Sequence, residues 1–215
     1  MKQLNWATLG CGVIANELAH ALSKEGRTLY SVANRTHENG RSFCTKLWHF
    51  KVYDNIDDVF YDPDVDIIYI STPHNTHINY LRKALSNGKH VLCEKSITLN
   101  IAELDEAVSL AKENNVILAE AMTIYHMPVY KKLNEIIASG QLGRLNLIQV
   151  NFGSYKDYNM TNRFSVVSLP EEHCLILEFT HFLLSAGSSR KHQHKYRHRL
   201  NMHQPVLMNR QVFCL

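Results

Sequence analysis

A glycine-rich turn near the start of the chain is the first group of residues whose types and spacing predict chemistry. Residues 10–15 read Gly-Cys-Gly-Val-Ile-Ala, a G-x-G-x-x-A pattern between an apolar run and a stretch with helical spacing. Gly10 permits a tight turn, Gly12 lets the backbone approach a diphosphate, and Ala15 allows close helix packing. A glycine turn without a ligand is the alternative. The context favours a dinucleotide held by Gly10, Gly12, Val13, Ile14 and Ala15.

The residues after the apolar run at 28–33 bear on the choice between NAD and NADP. NAD enzymes usually place an Asp or Glu there, on the ribose 2′-hydroxyl. This chain has Asn34 and Arg35 instead. Because an arginine can stack on or pair with a 2′-phosphate, the sequence slightly favours NADP over NAD. A solvated surface arginine is the alternative.

Two further polar stretches follow apolar runs. Residues 71–77 read S-T-P-H-N-T-H, and residues 93–96 read C-E-K-S. In an open α/β sheet, ligands bind outside the carboxyl ends of the strands, so both stretches are candidates for the same site as the glycine turn. Each one alone is a weak signal, but their combination with the glycine turn is much less common.

The elements that must position these residues alternate between strands and helices. Near-continuous apolar runs predict strands buried on both faces: Asn5–Leu9, Thr28–Ala33, Asp66–Ser71, His90–Cys93 and Val116–Ala119. Helical spacing places three sets of apolar residues on helix faces: Ile14, Leu18 and Leu22; Ile78, Leu81 and Leu85; Leu104, Val108 and Ala111. Helix ends are predicted before Gly26, Gly88 and Asn114-Asn115. This alternation predicts an α/β fold, a Rossmann-type doubly wound parallel sheet.

Taken together, the motifs resemble those of the Gfo/Idh/MocA family of oxidoreductases. That family reads G-x-G-x-x-A, then T-P-x-x-x-H, then G-K-H-V-x-x-E-K-P. This chain has residues 10–15, then Thr72-Pro73 with His77, then G-K-H-V-L-C-E-K at 88–95. The likeness covers about residues 3 to 164 and is greatest for the dihydrodiol and sugar dehydrogenase branch. It implies NAD(P)-dependent hydride transfer to or from a hydroxyl of a small sugar, polyol or diol, in a homo-oligomer.

The resemblance also implies roles for single residues. Lys95 would lie beside the nicotinamide and the substrate hydroxyl and relay a proton as the catalytic residue, and Glu94 would contact the nicotinamide ribose or orient Lys95. The cofactor groove would be lined by Thr72, Pro73, Asn75 and His77. The alternatives are structural, with His77 opening its helix and Asn75 shaping the turn. Ser96 replaces the family's proline, and because a cis bond before serine costs about 3–4 kcal/mol, we expect a trans bond and a displaced Lys95.

The sequence matches the start of the family's second domain and no longer matches it after Phe164. A helix started by Pro128 and a strand within Leu145–Tyr155 are followed by Asn162-Arg163-Phe164, which match the family. In the family the next segment, like A-G-G-A-L-L-D-I-G-V-Y, supplies an aspartate and a tyrosine or histidine to the active site, and it is absent here. We therefore predict a Rossmann domain at 1–122, the start of a truncated α/β substrate domain at 123–164, and an unpaired apolar edge at the strand.

A neighbouring reading frame can encode the absent segment. Codons can be chosen for Pro170–Thr180 such that reading from one base earlier spells A-G-G-A-L-L-D-I-G-V-Y. Each shifted codon takes two bases from a residue of this chain, so the match is tightly constrained. The hypothesis is a frameshift near Phe164, with 165–215 a poorly structured out-of-frame tail and negligible turnover. The alternative is a basic tail for metal or nucleic acid, carried by His192, His194, His198, Lys195, Arg197 and Arg199.

Composition excludes other classes of protein. The chain has 215 residues, 45% of them hydrophobic and 20% charged, which excludes disorder, collagen and coiled coil. The sequence contains no run of eighteen apolar residues, so it predicts no membrane span. Five scattered cysteines without a C-x-x-C pair fit a reducing, cytoplasmic setting and no metal site. We expect neither membrane nor nucleic-acid partners. A nucleotide-binding regulator without chemistry and a nonfunctional fragment of a damaged gene are the other functional hypotheses.

Overall fold

The chain forms two compact units, Met1–Ala121 and Met122–Leu215. The structure is a computed structural model. It describes residues 3–47, 51–143, 148–152, 196–198 and 210–214. The Asn162-Arg163-Phe164 match and the Pro170–Thr180 segment lie outside the described residues, so the expectations for them stay predictions.

The first unit is a six-stranded parallel sheet with helices between the strands. Its elements are β1 (Trp6–Leu9), α1 (Val13–Lys24), β2 (Ser31–Ala33), α2 (His37–Leu47), β3 (Lys51–Val52), α3 (Asp58–Tyr61), β4 (Ile67–Ile70), a 3₁₀ turn (His74–Thr76), α4 (His77–Ser86), β5 (His90–Cys93), α5 (Ile101–Glu113) and β6 (Leu118–Glu120). The strand order is β3-β2-β1-β4-β5-β6, with every pair parallel. The predicted Rossmann-type fold is confirmed.

The apolar strands form the core of this unit because helices cover both faces of the sheet. Leu9, Ile68 and Ile70 are fully buried, as expected for the central strands of a parallel sheet. Left-handed residues follow three helices, where they satisfy the last carbonyl groups: Gly26 at φ 70°, Gly88 at φ 69° and Asn115 at φ 52°. The helix ends predicted from the sequence are therefore confirmed.

The face of α1 that meets the sheet differs from the prediction. Ile14 is 48% exposed, whereas Ala15, Ala19 and Leu22 are buried. The prediction for Ile14 was wrong because small side chains let the helix approach the sheet closely, and the larger isoleucine points away. Strand β3 was not predicted, since two residues carry too short a pattern to detect.

The second unit holds a 3₁₀ turn (Thr123–His126), α6 (Pro128–Ala138) and three strands, β7 (Ile148–Phe152), β8 (Tyr196–His198) and β9 (Arg210–Cys214). Pro128 occupies the first helical position of α6, as predicted. The strands form an antiparallel sheet in the order β7-β9-β8. The prediction that β7 is unpaired is wrong, because β9 forms an antiparallel ladder of hydrogen bonds with it. No helix among the described residues has the length and apolar character needed to cross a membrane.

Candidate functional site

The carboxyl ends of four strands bring the predicted site residues to one edge of the first unit's sheet. Leu9 is in register with Ala33 and Ile70, and Ile70 is in register with Cys93. The ladder continues past the strands, since Gly10 N–H donates to the Ala33 carbonyl at 2.9 Å. The segments after β1, β2, β4 and β5 therefore leave the sheet side by side.

The glycine turn has the geometry of a diphosphate cradle. Gly10 has φ 104°, and a Cβ placed there would lie 2.9 Å from Ser71 Oγ, so only glycine fits. A Cβ at Gly12 would meet nothing within 4 Å, which means that the backbone faces open space. Gly12 is the N-cap of α1 without a side-chain cap, and the first turn holds no acidic residue. The N–H groups of the first turn lack partners within the helix, so they can bind an anion.

A cleft of about 500 Å³ lies above this turn. Six predicted residues line it: Gly10, Gly12, Asn34, Arg35, Thr72 and Pro73. Cys11, Ser71 and Thr76 also line it and lie within the stretches that the sequence singled out. The sequence did not point to the rest: Asn16, Asn39, Ser42, Phe43, Ile56 and Tyr80. Asn16 could have been suspected from its place one turn into α1, where its Nδ2 donates to the Gly12 carbonyl at 2.8 Å. Phe43, Ile56 and Tyr80 carry no local motif.

The strand β2 leads directly into the part of the cleft that would decide between NAD and NADP. Asn34 Nδ2 donates to the Thr36 carbonyl at 2.8 Å, which shapes the turn. Arg35 is exposed, and its guanidinium forms no hydrogen bond or ion pair with any residue that the structure describes. It therefore remains available to a ligand.

The other seven predicted cofactor residues do not line the cleft: Val13, Ile14, Ala15, Asn75, His77, Glu94 and Lys95. Val13 and Ile14 are exposed at the start of α1, and Ala15 is fully buried beneath the turn. Asn75 is exposed within the 3₁₀ turn that precedes α4. Val13 and Ile14 therefore offer backbone N–H groups rather than side chains, and Ala15 acts through packing.

His77 is fully buried beneath the cleft instead of lining it. Its ring Nε2 lies 2.8 Å from the Thr72 carbonyl oxygen, and its Nδ1 lies 2.8 Å from the Ser96 carbonyl oxygen. A neutral ring carries one N–H and donates to only one of these acceptors, whereas an imidazolium donates to both. The side chain thus connects the loop after β4 to the loop after β5.

Glu94 and Lys95 lie on the loop after β5. The Glu94 carboxylate accepts a hydrogen bond from the hydroxyl of Tyr69 in β4. Burial, together with this bond and the carboxylate charge, raises the pKa of Tyr69, so the hydroxyl stays a donor. Lys95 is half-buried, and among the described residues nothing forms a hydrogen bond or ion pair with its ammonium.

The bond between Lys95 and Ser96 is cis. The expectation of a trans bond was therefore wrong, because it rested on the intrinsic preference of serine and took no account of the contacts of the folded loop. Ser96 carries one of these contacts through its carbonyl oxygen, which lies 2.8 Å from His77 Nδ1.

Glu120, at the end of β6, is a site residue that the sequence analysis missed. Its Oε1 accepts the N–H of Ile97 at 2.9 Å, two residues after Lys95. Burial first, and then the charges of Glu120 and Glu94, raise the pKa of the Cys93 thiol. The place of Glu120 just after a predicted strand was a usable signal, whereas its contact with the loop after β5 depends on the strand order. The described part of the chain contains no group of three His, Cys, Asp or Glu side chains that could hold a metal ion.

Comparisons with known proteins found a family profile and several relatives that match this chain. A family profile described as "Oxidoreductase family, NAD-binding Rossmann fold" (GFO_IDH_MocA) matches residues 4–122. Trans-1,2-dihydrobenzene-1,2-diol dehydrogenase of Mus musculus is 32% identical over 153 residues, covering 70% of this chain and 46% of that protein. The same enzyme of Xenopus tropicalis is 30% identical over 151 residues, covering 69% of this chain and 46% of that protein. The chain thus spans about half the length of these relatives.

Solved structures agree on the fold. The 3-ketoreductase KijD10 from Actinomadura kijaniata, in complex with NADP, superposes with a TM-score of 0.62 at 24% identity, over 66% of this chain and 46% of that one. Myo-inositol 2-dehydrogenase from Lactobacillus plantarum has a TM-score of 0.62 at 24% identity, over 71% of this chain and 45% of that one. At such identities the likeness shows the fold alone.

Proposed function

Because the chain belongs to the Gfo/Idh/MocA family of NAD(P)-binding oxidoreductases, we propose that its first unit binds a nicotinamide dinucleotide in the cleft above the glycine turn. The observation that carries the proposal is the backbone around Gly10 and Gly12. One glycine packs against Ser71 where no side chain fits, and the other exposes the start of α1 to open space. This arrangement suits a diphosphate bridge.

The residues present fit the rest of the coenzyme. Asn34 and Arg35 would hold the adenosine ribose. Thr72 and Pro73 would line the groove on the side of the nicotinamide. Val13, Ile14 and Ala15 would contribute backbone N–H groups and packing at the start of α1. Asn75 and His77 would act by shaping the loop after β4.

The chemistry proposed for the parent protein is reversible oxidation of a hydroxyl group. When bound, the coenzyme would supply or accept the hydride. Lys95 Nζ would hold or move the proton at the substrate oxygen, since its ammonium has no partner among the described residues. Glu94, held by Tyr69, would contact the nicotinamide ribose or orient Lys95. We propose a sugar, polyol or diol as substrate, in line with the names of the relatives.

We propose that NADP binds more tightly than NAD. No acidic side chain lies at residues 34–36, after β2, and Arg35 is exposed at the cleft with a free guanidinium among the described residues. A guanidinium pairs well with a phosphate group. The 2′-phosphate of NADP would provide that partner.

Fluorescence titration of the purified chain with NADPH and with NADH tests the proposed function. We expect saturable binding of both, with the lower dissociation constant for NADPH. Circular dichroism in the same samples establishes that the protein is folded. Folded protein that binds neither coenzyme would refute the proposal.

We further propose that this chain turns over negligibly, because residues 165–215 do not contain the family's A-G-G-A-L-L-D-I-G-V-Y segment in the frame as written. The one-base shift that spells it from Pro170–Thr180 supports a frameshift near Phe164. Sequencing the gene and its transcript tests this hypothesis. Codons that do not spell the segment in the neighbouring frame would overturn the frameshift, and steady oxidation of any polyol would overturn the predicted inactivity.

A cytoplasmic location is also proposed, because Cys11, Cys44 and Cys93 are free thiols, as expected in a reducing compartment. We propose small-molecule partners rather than nucleic acid, and a homo-oligomeric parent by analogy with the family.

A further inference from the structure

One peptide group in the loop after β5 is held at both of its polar atoms by side chains. This is the Ser96–Ile97 peptide. Its carbonyl oxygen lies 2.8 Å from His77 Nδ1, and its N–H donates to Glu120 Oε1 at 2.9 Å. With His77 Nδ1 as the donor and Glu120 Oε1 as the acceptor, the two side chains fix the plane of the peptide, because rotation would break both hydrogen bonds.

The two side chains reach this peptide from separate, well-supported elements. His77 begins α4 and is fully buried, and its other nitrogen contacts the Thr72 carbonyl. Glu120 ends β6 and pairs in register with Cys93, and the next N–H, from Ala121, donates to the Cys93 carbonyl at 2.8 Å. The peptide is therefore attached both to a helix and to the sheet.

Lys95 comes directly before Ser96 in the chain, and the residue on its other side, Glu94, is also anchored. Glu94 is held through its carboxylate by Tyr69, and its N–H donates to the Ile70 carbonyl at 2.9 Å. The backbone is thus fixed on both sides of Lys95, whereas the described residues leave its ammonium without a partner. A fixed backbone with a free functional group is the arrangement that preorganises a site.

We propose that His77 and Glu120 are positioning residues for Lys95. They hold the Ser96–Ile97 peptide, and through it they fix the direction in which the side chain of Lys95 leaves the backbone. The importance of this direction rests on the proposed function, in which Lys95 Nζ faces the nicotinamide and the substrate oxygen. Glu120 acts as a hydrogen-bond acceptor in this role and not through its charge.

Competitive labelling of lysines with limiting acetic anhydride, resolved by peptide mass spectrometry, tests the proposal on the full chain. The labelling rate of Lys95 is measured against pH, relative to exposed Lys112 in α5. We expect Glu120→Ala to raise the Lys95 rate about fivefold, the effect of losing one hydrogen bond. Glu120→Gln keeps an acceptor and removes the charge, so it should match the wild type, as should the surface control Glu113→Ala.

A Lys95 labelling profile in Glu120→Ala that matches the wild type would overturn the proposal. A profile altered equally in Glu120→Gln would overturn it too, because charge would then be the cause. Should Glu120→Ala not fold, His77→Asn and His77→Gln decide. The Asn amide replaces the donor at Nδ1, so the labelling rate of Lys95 should stay at its wild-type value. Gln replaces the donor at Nε2 instead, so the labelling rate of Lys95 should rise. Equal rates in these two variants would contradict the role of His77.

Adding NADPH separates this proposal from the proposed function. The positioning role is judged from Lys95 labelling without coenzyme, in the variants. The proposed function is judged from protection of wild-type Lys95 by saturating NADPH, with Lys112 unaffected. Absent protection would count against the coenzyme site and leave the positioning result intact.

Discussion

At the amino edge of the parallel sheet the buried charges have partners within the protein, whereas at the carboxyl edge two cations are left without any among the described residues. Asp62 Oδ2 accepts hydrogen bonds from Lys51 Nζ and from the Tyr53 hydroxyl, both at 2.6 Å. Arg35 and Lys95, at the other edge, have no such neighbour in the described part of the chain. The two edges of one sheet therefore differ in whether their charged side chains have partners among the described residues.

The amino edge is a closed network. The N–H of Asp64 donates to Asp62 Oδ1 at 2.9 Å, and buried Lys89 Nζ donates to the carbonyls of Asp62 and Val65 at 2.6 and 2.9 Å. Burial by itself would raise the pKa of Asp62, but hydrogen bonds from Lys51, Tyr53 and Asp64 outweigh it and lower the pKa to about 2. Burial lowers the pKa of Lys89. This network stabilises the fold because each buried charge has hydrogen-bond partners within the protein.

The difference teaches where to look for function in this chain. A charge satisfied inside the protein contributes to folding, and a charge left open at a cleft is available to a ligand. Changes at the carboxyl edge should therefore alter coenzyme binding with modest effects on stability, and changes at the amino edge should do the reverse.

Gly10→Ala should have the largest effect on binding. The new Cβ would lie 2.9 Å from Ser71 Oγ and 3.0 Å from its carbonyl oxygen, at φ 104°, so the turn must shift away from the diphosphate. We expect NADPH affinity to fall by at least about 100-fold, or about 3 kcal/mol, measured by fluorescence titration. Gly26→Ala is the matched control, since φ is also positive there but a Cβ meets nothing within 4 Å. A variant at Gly10 that binds within threefold of wild type, a range of about 0.7 kcal/mol, would contradict the assigned cradle.

Asp62→Asn should destabilise the first unit by about 2 kcal/mol, because it removes the charged acceptor of the buried Tyr53 hydroxyl and of the half-exposed Lys51 ammonium. Urea unfolding followed by circular dichroism measures this change. The folded fraction should bind NADPH with unchanged affinity. Asp58→Asn, on the exposed start of α3, is the control and should unfold like the wild type. Equal stability of both variants would remove the distinction between the two edges.

The pH dependence of stability should show the same network. Because the pKa of Asp62 is lowered from 3.8 to about 2, its stabilisation is complete above about pH 4 and is lost as the pH falls toward 2. We expect the difference in unfolding free energy between wild type and Asp62→Asn to shrink by about 2 kcal/mol over that interval. A difference that stays constant from pH 6 to pH 2 would show that Asp62 keeps an ordinary pKa.

Arg35→Ala should have the smallest and most selective effect. Loss of the guanidinium at the cleft should weaken NADPH binding about tenfold, or about 1.4 kcal/mol, and leave NADH binding within about twofold. Parallel titrations with the two coenzymes measure the ratio. A similar loss for both coenzymes would mean that Arg35 contacts a part they share.

The fold was predictable because apolar runs and left-handed stops are local patterns. The strands around Leu9, Ile70 and Cys93 and the stop at Gly26 could be located from the sequence, with bounds shifted by a few residues. Strand β3 was not predictable because it has two residues. The inward face of α1 was mistaken because hydrophobicity ranks isoleucine above alanine, whereas close packing on the sheet selects the smaller side chain.

The site was predictable only where one segment carries it. The glycine turn and the Glu94-Lys95 pair are short motifs, so the sequence indicated them. The contacts of Glu120 with Ile97 and of Tyr69 with Glu94 join segments that are 23 and 25 residues apart. Their pairing follows from the strand order, which no local pattern reveals.

Amide chemical-shift mapping by NMR during a titration with NADPH tests the central claim most directly, because it reports on both edges of the sheet at once. We predict the largest shifts at the N–H groups of Gly12, Val13 and Ile14, and none at Asp62 or Lys89. Shifts concentrated at the amino edge, or no shifts in folded protein at saturating NADPH, would contradict the assignment of the coenzyme site.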